Sequence, residues 1–153
     1  MAYADFRHRI PLRVRWAEVD RQGVVFNAHY LLYADVCATE YWRAVGMRYP
    51  ADFEPLASDL YVRKATVEYR AAALYDDELE VCGRIARIGT SSLEFIVEMF
   101  RRGQSDVLLV AVVLVYVYVD ATSKAPRPVD EALRSKIRAY EAKAPDEALA
   151  AAR

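Results

Sequence analysis

"AHYLLYADVCATEYWRAV", residues 28–45, carries the helical pattern from which the rest of the fold prediction follows. Its polar residues Asp35, Thr39 and Arg43 recur at every fourth position, so a helix would place them in one narrow stripe. Apolar, aromatic and small residues cover most of the remaining circumference. A helix with such a surface is surrounded by protein, and we therefore predict one long central helix.

Strand patterns lie on both sides of this helix. Residues 7–16 alternate basic and apolar side chains at nearly period two, and Pro11 favours an edge position for that strand. A short helix is expected near residues 130–143. This order predicts an α+β domain in which a five-stranded antiparallel sheet covers the long helix. The other four predicted strands, rich in β-branched and aromatic residues, are 60–70, 77–88, 91–102 and 106–120.

Length and composition favour one packed domain. With 153 residues, of which 55% are hydrophobic, the chain can bury a core. We assign residues 1–153 to a single domain whose Ala-rich end, from about residue 144, frays. A net charge of −1 indicates no basic surface for nucleic acid. Neither cysteine belongs to a paired Cys/His spacing, so we expect no metal site.

We expect a cytoplasmic protein without membrane insertion. The N-terminal residues lack the apolar segment of a signal peptide. The longest apolar run, residues 107–119, is shorter than the ~20 residues that a membrane helix needs. That run is apolar on both faces of its predicted strand. Because one face can cover the helix while the other needs a second subunit, we predict a homo-oligomer.

The stretch before the helix, "AEVDRQGVVFNAHY" (residues 17–30), concentrates polar chemistry. One interpretation is structural: Asp20 and Gly23 suit the first and fourth positions of a turn, and Asn27 suits the N-cap of a helix beginning at Ala28. The other is chemical. Unpaired amides at the helix start would stabilise an oxyanion, and a carboxylate just upstream would act as nucleophile or general base in acyl transfer.

The residues of this region resemble a known signature. "VRWAEVDRQGVVFNAHYLLYADVCATEYWR", residues 14–43, looks like the 4-hydroxybenzoyl-CoA thioesterase-like branch of the hotdog-fold acyl-CoA thioesterases. Residues 61–81, with "RIGTSSLEF" and "VDATSKAPRPV" further on, are similar to the acyl-CoA thioesterases of the Tol–Pal cluster branch. The resemblance implies a sheet wrapped around one long helix, a dimer as the basic unit, and active sites at the subunit interface. A tetramer would use the second apolar face of the last strand.

The resemblance also assigns roles to residues in the polar stretch. Asp20 matches the catalytic aspartate, which attacks the thioester carbonyl or activates water for that attack. The backbone amide at Asn27 matches the group that polarises this carbonyl, and Gly23 permits the turn between them. The substrate is an acyl-CoA, and neither metal nor redox cofactor is implied, because coenzyme A is part of the substrate.

Further positions are implied to bind the substrate. Tyr30 and Val25 belong to the signature and are expected to bind the substrate, Tyr30 as part of the acyl pocket. Arg63 and Lys64, together with Arg87, are candidates for contacting the phosphates of CoA. A segment that in relatives approaches the active site from the other subunit is matched by Thr90, Ser91 and Ser92.

The sequence departs from the family pattern at one place. Many relatives have a histidine at the position of Asn27, whereas here the imidazole is His29, two positions later. Two helical positions correspond to a rotation of about 200°, so His29 does not replace the missing group. Strand alternation would place a second carboxylate, Glu18, on the same side as Asp20.

Two other functions are compatible with the same fold. The first is a non-catalytic protein that binds acyl-CoA or CoA, although such a pocket does not need an acid at Asp20. The second is a hotdog dehydratase, which would require His29 in a role that its spacing does not favour.

Overall fold

The computed structural model describes residues 2–148 of the chain. Its strands are β1 (His8–Arg13), β2 (Ser58–Tyr69), β3 (Glu78–Ile88), β4 (Ser92–Arg101), β5 (Leu108–Asp120) and β6 (Asp146–Glu147), and its helices are α1 (His29–Ala44) and α2 (Glu131–Tyr140). The predicted long helix and the five predicted strands are all confirmed, within a few residues at each end.

The five long strands form one antiparallel sheet in the order β1-β3-β4-β5-β2. Within residues 2–148, β1 pairs only with β3, so Pro11 lies on an edge strand as predicted. β2 forms the opposite edge and pairs only with β5 along the described part of the chain. Residue Arg63 lies in an irregularity of the β2–β5 register, between Val62 and Lys64. β1 and β2 are therefore the two edge strands of the sheet.

The prediction of five strands is wrong by one. Asp146–Glu147 form a short sixth strand that pairs in parallel with Arg87 and Ile88 of β3. β1 covers β3 only from Glu78 to Gly83, which leaves the far end of that edge open for β6. Part of the segment predicted to fray is thus paired, and residues 149–153 lie outside the described residues.

α1 packs one face against the sheet and leaves the other open. Tyr33, Cys37 and Tyr41 are at most 2% exposed and belong to the main core, together with alternate residues of β3, β4 and β5. On the opposite face, Leu32 is 57% and Val36 47% exposed. Within a single chain the helix is therefore not surrounded by protein, which differs from the prediction.

Gly83 of β3 lies in close contact with α1 and with the neighbouring strand β4. A Cβ atom at this position would lie 2.5 Å from Cζ of Phe95 and 2.7 Å from Sγ of Cys37. Both neighbours are almost fully buried, so neither can move away easily. The helix can reach the sheet at this depth because position 83 carries no side chain.

A buried carboxylate ties the C-terminal part of the chain to this core. Glu141 follows α2, and its Oε1 accepts hydrogen bonds from Tyr41 Oη at 2.6 Å and from Ile85 N at 2.7 Å. Arg84 Nε lies 4.0 Å from its Oε2. Burial raises the pKa of Glu141. Among residues 2–148, no helix is long and apolar enough to cross a membrane.

Substitution of Gly83 tests the close approach of helix and sheet. We expect Gly83→Ala to lower the free energy of unfolding by about 1–3 kcal/mol, because the added methyl group overpacks a rigid site. The measurement is urea denaturation followed by circular dichroism.

The double variant Gly83→Ala/Phe95→Leu provides the control, because it shortens one of the two side chains that the methyl group meets. Its loss of stability should be smaller than the sum of the two single losses. Additive losses would show that the contact between these two positions does not limit packing.

Candidate active site

The predicted turn between Asp20 and Gly23 is confirmed. Gly23 N donates to Asp20 O at 2.9 Å, and Asp20 N donates to Val24 O at 2.9 Å. Gly23 has a φ of +77°, in the left-handed region that glycine adopts without strain. The Asp20 carboxylate accepts a hydrogen bond from Gln22 N on Oδ1, at 2.7 Å. The turn therefore holds one carboxylate oxygen of Asp20 in a defined orientation.

Backbone pairing carries this turn toward α1. Val19 and Val25 form an antiparallel bridge, and Phe26 N donates to Glu18 O at 2.9 Å. On the outer side, Val25 N donates to Ala73 O, also at 2.9 Å. The turn is thus the tip of a short two-stranded ladder that lies against the segment following β2.

The start of α1 differs from the prediction. The helix begins at His29, its N-cap is Ala28, and no side chain caps it, so the assignment of Asn27 as N-cap is wrong. A turn in which His29 N donates to Phe26 O at 2.9 Å precedes the helix and contains Asn27. Among the described residues, no acceptor is hydrogen-bonded to the backbone amides of Asn27 and Ala28. These amides are available to a ligand at the positive end of the helix dipole.

A cleft of about 280 Å³ lies where the ladder, α1 and the end of β2 meet. Three of the predicted site residues share it: Val25, Asn27 and Tyr30. Tyr30 is 3% exposed, and its Oη accepts a hydrogen bond from Ala73 N at 3.0 Å. The remaining lining residues are Val24, Tyr69, Arg70, Ala71 and Ala72.

Tyr69 and Arg70 were not predicted as site residues. Tyr69 Oη donates to Asn27 O at 3.2 Å and so links the end of β2 to the helix start. Arg70 brings a positive charge to the cleft and pairs with Glu68 at 2.9 Å. No motif marks these residues. The available signal was that the predicted strand ends at residue 70, and strand ends frequently carry functional side chains.

Glu18 does not occupy the position expected from strand alternation. It lies in a 3₁₀ turn, Trp16–Glu18, and is only 5% exposed. Its carboxylate accepts hydrogen bonds from Arg15 N at 2.8 Å and from Tyr33 Oη at 2.9 Å, and it pairs with the Arg15 guanidinium at 2.6 Å. Burial would raise the pKa of Glu18, but the hydrogen bonds from Arg15 and Tyr33 outweigh it and hold that pKa below its usual value.

His29 lies at the first position of α1, half-buried. Its ring packs edge-on against Phe26, with ring centroids 6.1 Å apart. Its Nδ1 is buried without a hydrogen-bond partner in the described part of the chain. His29 does not line the cleft next to Asn27.

The other predicted binding residues lie away from the cleft of the same chain. Arg63 and Lys64 are exposed in the middle of β2. The hairpin residues Thr90, Ser91 and Ser92 lie at the opposite end of the sheet. β4 begins at Ser92 and ends at Arg101. Arg101 is at the cleft, because its Nη2 donates to Ala72 O in the cleft wall at 2.6 Å. Ten strand residues span about 30 Å. Arg87 is exposed on β3, where it pairs with Asp146 of β6.

No metal centre is present among residues 2–148. No group of three or more His, Cys, Asp or Glu side chains in that part of the chain is placed to hold an ion.

The chain has clear relatives among known proteins. Residues 14–137 match the family model of the thioesterase-like superfamily. The acyl-CoA thioester hydrolase YbgC of Escherichia coli is 32% identical over 130 residues, which cover 85% of this chain and 95% of YbgC.

Solved structures give the same picture. A thioesterase from Thermus thermophilus, solved with coenzyme A and zinc, is 27% identical with a TM-score of 0.77, over 91% of this chain and 97% of that protein. A 1,4-dihydroxy-2-naphthoyl-CoA thioesterase from Synechocystis is 16% identical with a TM-score of 0.77, over 85% of this chain and 94% of that one, which shows the fold alone. The α+β hotdog fold is therefore confirmed, with six strands rather than five.

Proposed function

We propose a mechanism from one premise: the chain belongs to the thioesterase-like superfamily and is an acyl-CoA thioester hydrolase. It hydrolyses the thioester of an acyl-CoA to a free acid and CoA. We place this reaction at the cleft beside the start of α1, whose lining begins at Val24, directly after the Asp20–Gly23 turn; Asp20 itself is not one of the lining residues. One observation carries the assignment: the short ladder whose tip is the Asp20 turn is closed by the hydrogen bond from Phe26 N to Glu18 O, directly before the free amides of Asn27 and Ala28.

In this mechanism the Asp20 carboxylate acts either as the nucleophile or as the general base. Oδ1 is held by Gln22 N, and Oδ2 has no hydrogen-bond partner within residues 2–148. As a nucleophile, Oδ2 would bond to the thioester carbon and release CoA as thiolate, and water would then hydrolyse the mixed anhydride. As a general base, it would take a proton from water as the water oxygen attacks the same carbon; the C–S bond then breaks and CoA leaves as thiolate, which takes up that proton. Both routes use the same geometry.

The amides at the helix start would stabilise the charge that develops on the thioester oxygen. Amide N–H groups aimed at an oxyanion typically contribute on the order of 10²–10³ in rate. The amides of Asn27 and Ala28 lack other acceptors, and the helix dipole adds to their positive potential. Gly23 sets the direction from which the Asp20 carboxylate approaches them. Val25 and Tyr30 form the adjacent cleft wall, where the acyl group would lie.

We further propose that the reaction needs no metal or redox cofactor. Both routes are complete with a carboxylate, backbone amides and water. Coenzyme A enters as part of the substrate, and its phosphates would meet basic side chains. Arg63, Lys64 and Arg87 remain our proposals for that contact, and Arg70 joins them because it lines the cleft.

The site is proposed to be completed in a homodimer joined along β2. This strand has a free edge in the described chain, and two copies could pair there in antiparallel fashion. Such pairing would bring the first half of one β2 beside the second half of the other. The hairpin residues Thr90–Ser92, which lie about 30 Å from the cleft of their own chain, would then approach the cleft of the second copy.

A tetramer would cover the outer face of the sheet. Val113, Val115 and Val117 alternate along β5 with core residues, face away from α1, and are half-buried. This is the second apolar face that the sequence pattern predicted. Cytoplasmic location is likewise a proposal, based on the sequence alone.

Asp20→Asn tests the catalytic assignment. Asn keeps an oxygen that can accept the hydrogen bond from Gln22 N, so folding should be unchanged, whereas the carboxylate chemistry is lost. We expect kcat to fall by about 10²–10⁴-fold for the acyl-CoA that the wild type hydrolyses fastest. Thiol release measured across aliphatic and aromatic acyl-CoAs, with EDTA-treated protein in parallel, gives the rates.

Asp52→Asn is the control, since Asp52 also accepts a hydrogen bond from a backbone amide, that of Arg48, in a loop outside the cleft, where it additionally pairs with the Arg48 guanidinium. Its kcat should equal that of the wild type. Wild-type turnover by Asp20→Asn would disprove the role of Asp20, and loss of activity with EDTA would disprove the cofactor-free mechanism.

A pair of glycine substitutions tests the geometry of the turn. Gly23 and Gly103 have φ values of +77° and +78°, and a Cβ at either position would meet no atom within 4 Å. Gly23→Ala and Gly103→Ala should therefore lose similar stability, about 1–2 kcal/mol, from backbone strain alone. Only Gly23→Ala should also lower kcat, by about 10-fold or more, because it displaces Asp20. Equal kcat values in the two variants would contradict a positioning role for the turn.

Light scattering after gel filtration tests the assembly. We expect the wild type at micromolar concentration to have the mass of a tetramer. Val115→Lys should reduce it to a dimer, because a charge would be buried on the outer face. Thr122→Lys, an exposed turn position with the same change in charge, should keep the wild-type mass. A wild-type dimer would disprove the outer-face contact, and a monomer would disprove both interfaces.

A further inference from the structure

We propose that Glu18 is a positioning residue for the reaction: its buried carboxylate ties the turn that carries Asp20 to Tyr33 of α1, and so fixes Asp20 relative to the amides at the helix start. This inference rests on the catalytic role proposed for Asp20.

The Glu18 carboxylate is fully occupied by donors. Oε1 accepts from Arg15 N at 2.8 Å and from Tyr33 Oη at 2.9 Å. Oε2 accepts from Arg15 Nε at 3.1 Å and from Arg15 Nη2 at 2.6 Å. With its side chain 7% exposed, the group is also largely closed to water. Because no lone pair is left for a substrate or a catalytic water, the role of Glu18 is to hold other groups in place.

Two attachments start from this one residue. The side chain of Glu18 is bonded to Tyr33, which lies one helical turn after the first residue of α1. The main-chain carbonyl of Glu18 accepts from Phe26 N, just before the helix. Asp20 lies only two residues further along the chain. Glu18 is therefore bonded to α1 through its side chain and to the residue before α1 through its main chain. Together the two bonds fix the Asp20 turn relative to the helix start.

Tyr33 is well placed to transmit this constraint. It is 2% exposed, and its ring packs edge-on against Tyr30, with centroids 6.0 Å apart. Tyr30 in turn accepts from Ala73 N, next to the cleft-lining residues Ala71 and Ala72. The first turns of α1 are thus bonded through Tyr30 to the segment after β2 and through Tyr33 to Glu18. A misplacement of about 1 Å between reacting groups can cost about 10²-fold in rate, so this frame matters for turnover.

A second buried carboxylate provides a matched comparison. Glu141 accepts a hydrogen bond from Tyr41 on the same helix, at 2.6 Å, but it follows α2, and its second donor is Ile85 N of β3 rather than a group of the Asp20 turn. Each pair joins a buried glutamate to a buried tyrosine of α1. Removal of either hydrogen bond should lower stability. Of the two, only the Glu18–Tyr33 bond should also affect the geometry of the site when it is removed.

The test compares four single variants and one double variant of the full chain. Tyr33→Phe and Glu18→Gln should each lower kcat by about 5- to 50-fold, with KM changed by less than about threefold, because they shift Asp20 without removing a substrate contact. The double variant Glu18→Gln/Tyr33→Phe should be no slower than the slower single variant, since both changes break the same link. Tyr41→Phe and Glu141→Gln should lower Tm but keep kcat within about twofold of the wild type.

Several results would overturn the proposal. A wild-type kcat in folded Tyr33→Phe would overturn it. This variant removes only one hydroxyl group, so it remains informative if Glu18→Gln does not fold. Equal losses of kcat in the Tyr41 and Glu141 variants would also do so, since they would indicate general loosening of α1. Asp20→Asn separates the two proposals: if it is inactive while Tyr33→Phe is normal, only the positioning role fails. If Asp20→Asn is fully active, the catalytic assignment itself fails.

Discussion

The close approach of α1 to the sheet over Gly83 is the constraint on which the rest of the structure depends. Any side chain at that position would meet Phe95 and Cys37, both buried and confined. At this depth, the aromatic and small residues on one face of α1 are buried against the sheet. The helix begins beside the cleft that Asn27 and Tyr30 line. The depth of the helix thus determines where its free amides are presented.

The site is built from this fixed helix outward. Tyr30 and Tyr33, in the first turns of α1, are bonded to Ala73, beside the cleft, and to Glu18. Glu18 in turn accepts from Phe26 N at the base of the ladder that carries the Asp20 turn. Two buried glutamates consequently have different uses, although each accepts a hydrogen bond from a tyrosine of α1. Glu141 secures the C-terminal segment, while Glu18 connects the reactive turn to the helix.

Most secondary structure was predictable because it depends on local periodicity. The stripe of Asp35, Thr39 and Arg43 marked α1, and alternation marked the strands. Errors arose where non-local partners decided the outcome. The pairing of Asp146 with β3 depends on β1 ending short of Arg87, which no local pattern of residues near 146 reveals. Asn27 failed as a cap because the turn from Phe26 to His29 takes it out of the cap position.

The sequence by itself determined the element order, the turn at Asp20–Gly23, the family and the reaction, since each depends on residue types in a continuous segment. Only the tertiary structure decided which residues share the cleft. Tyr69 and Arg70 follow Asn27 by some forty residues in the sequence. They lie next to it because the pairing of β2 with β5 places the end of β2 at the cleft. It also separated Thr90–Ser92 from the cleft of the same chain. Side chains distant in sequence meet through strand pairing and helix packing, and neither is written in a local pattern.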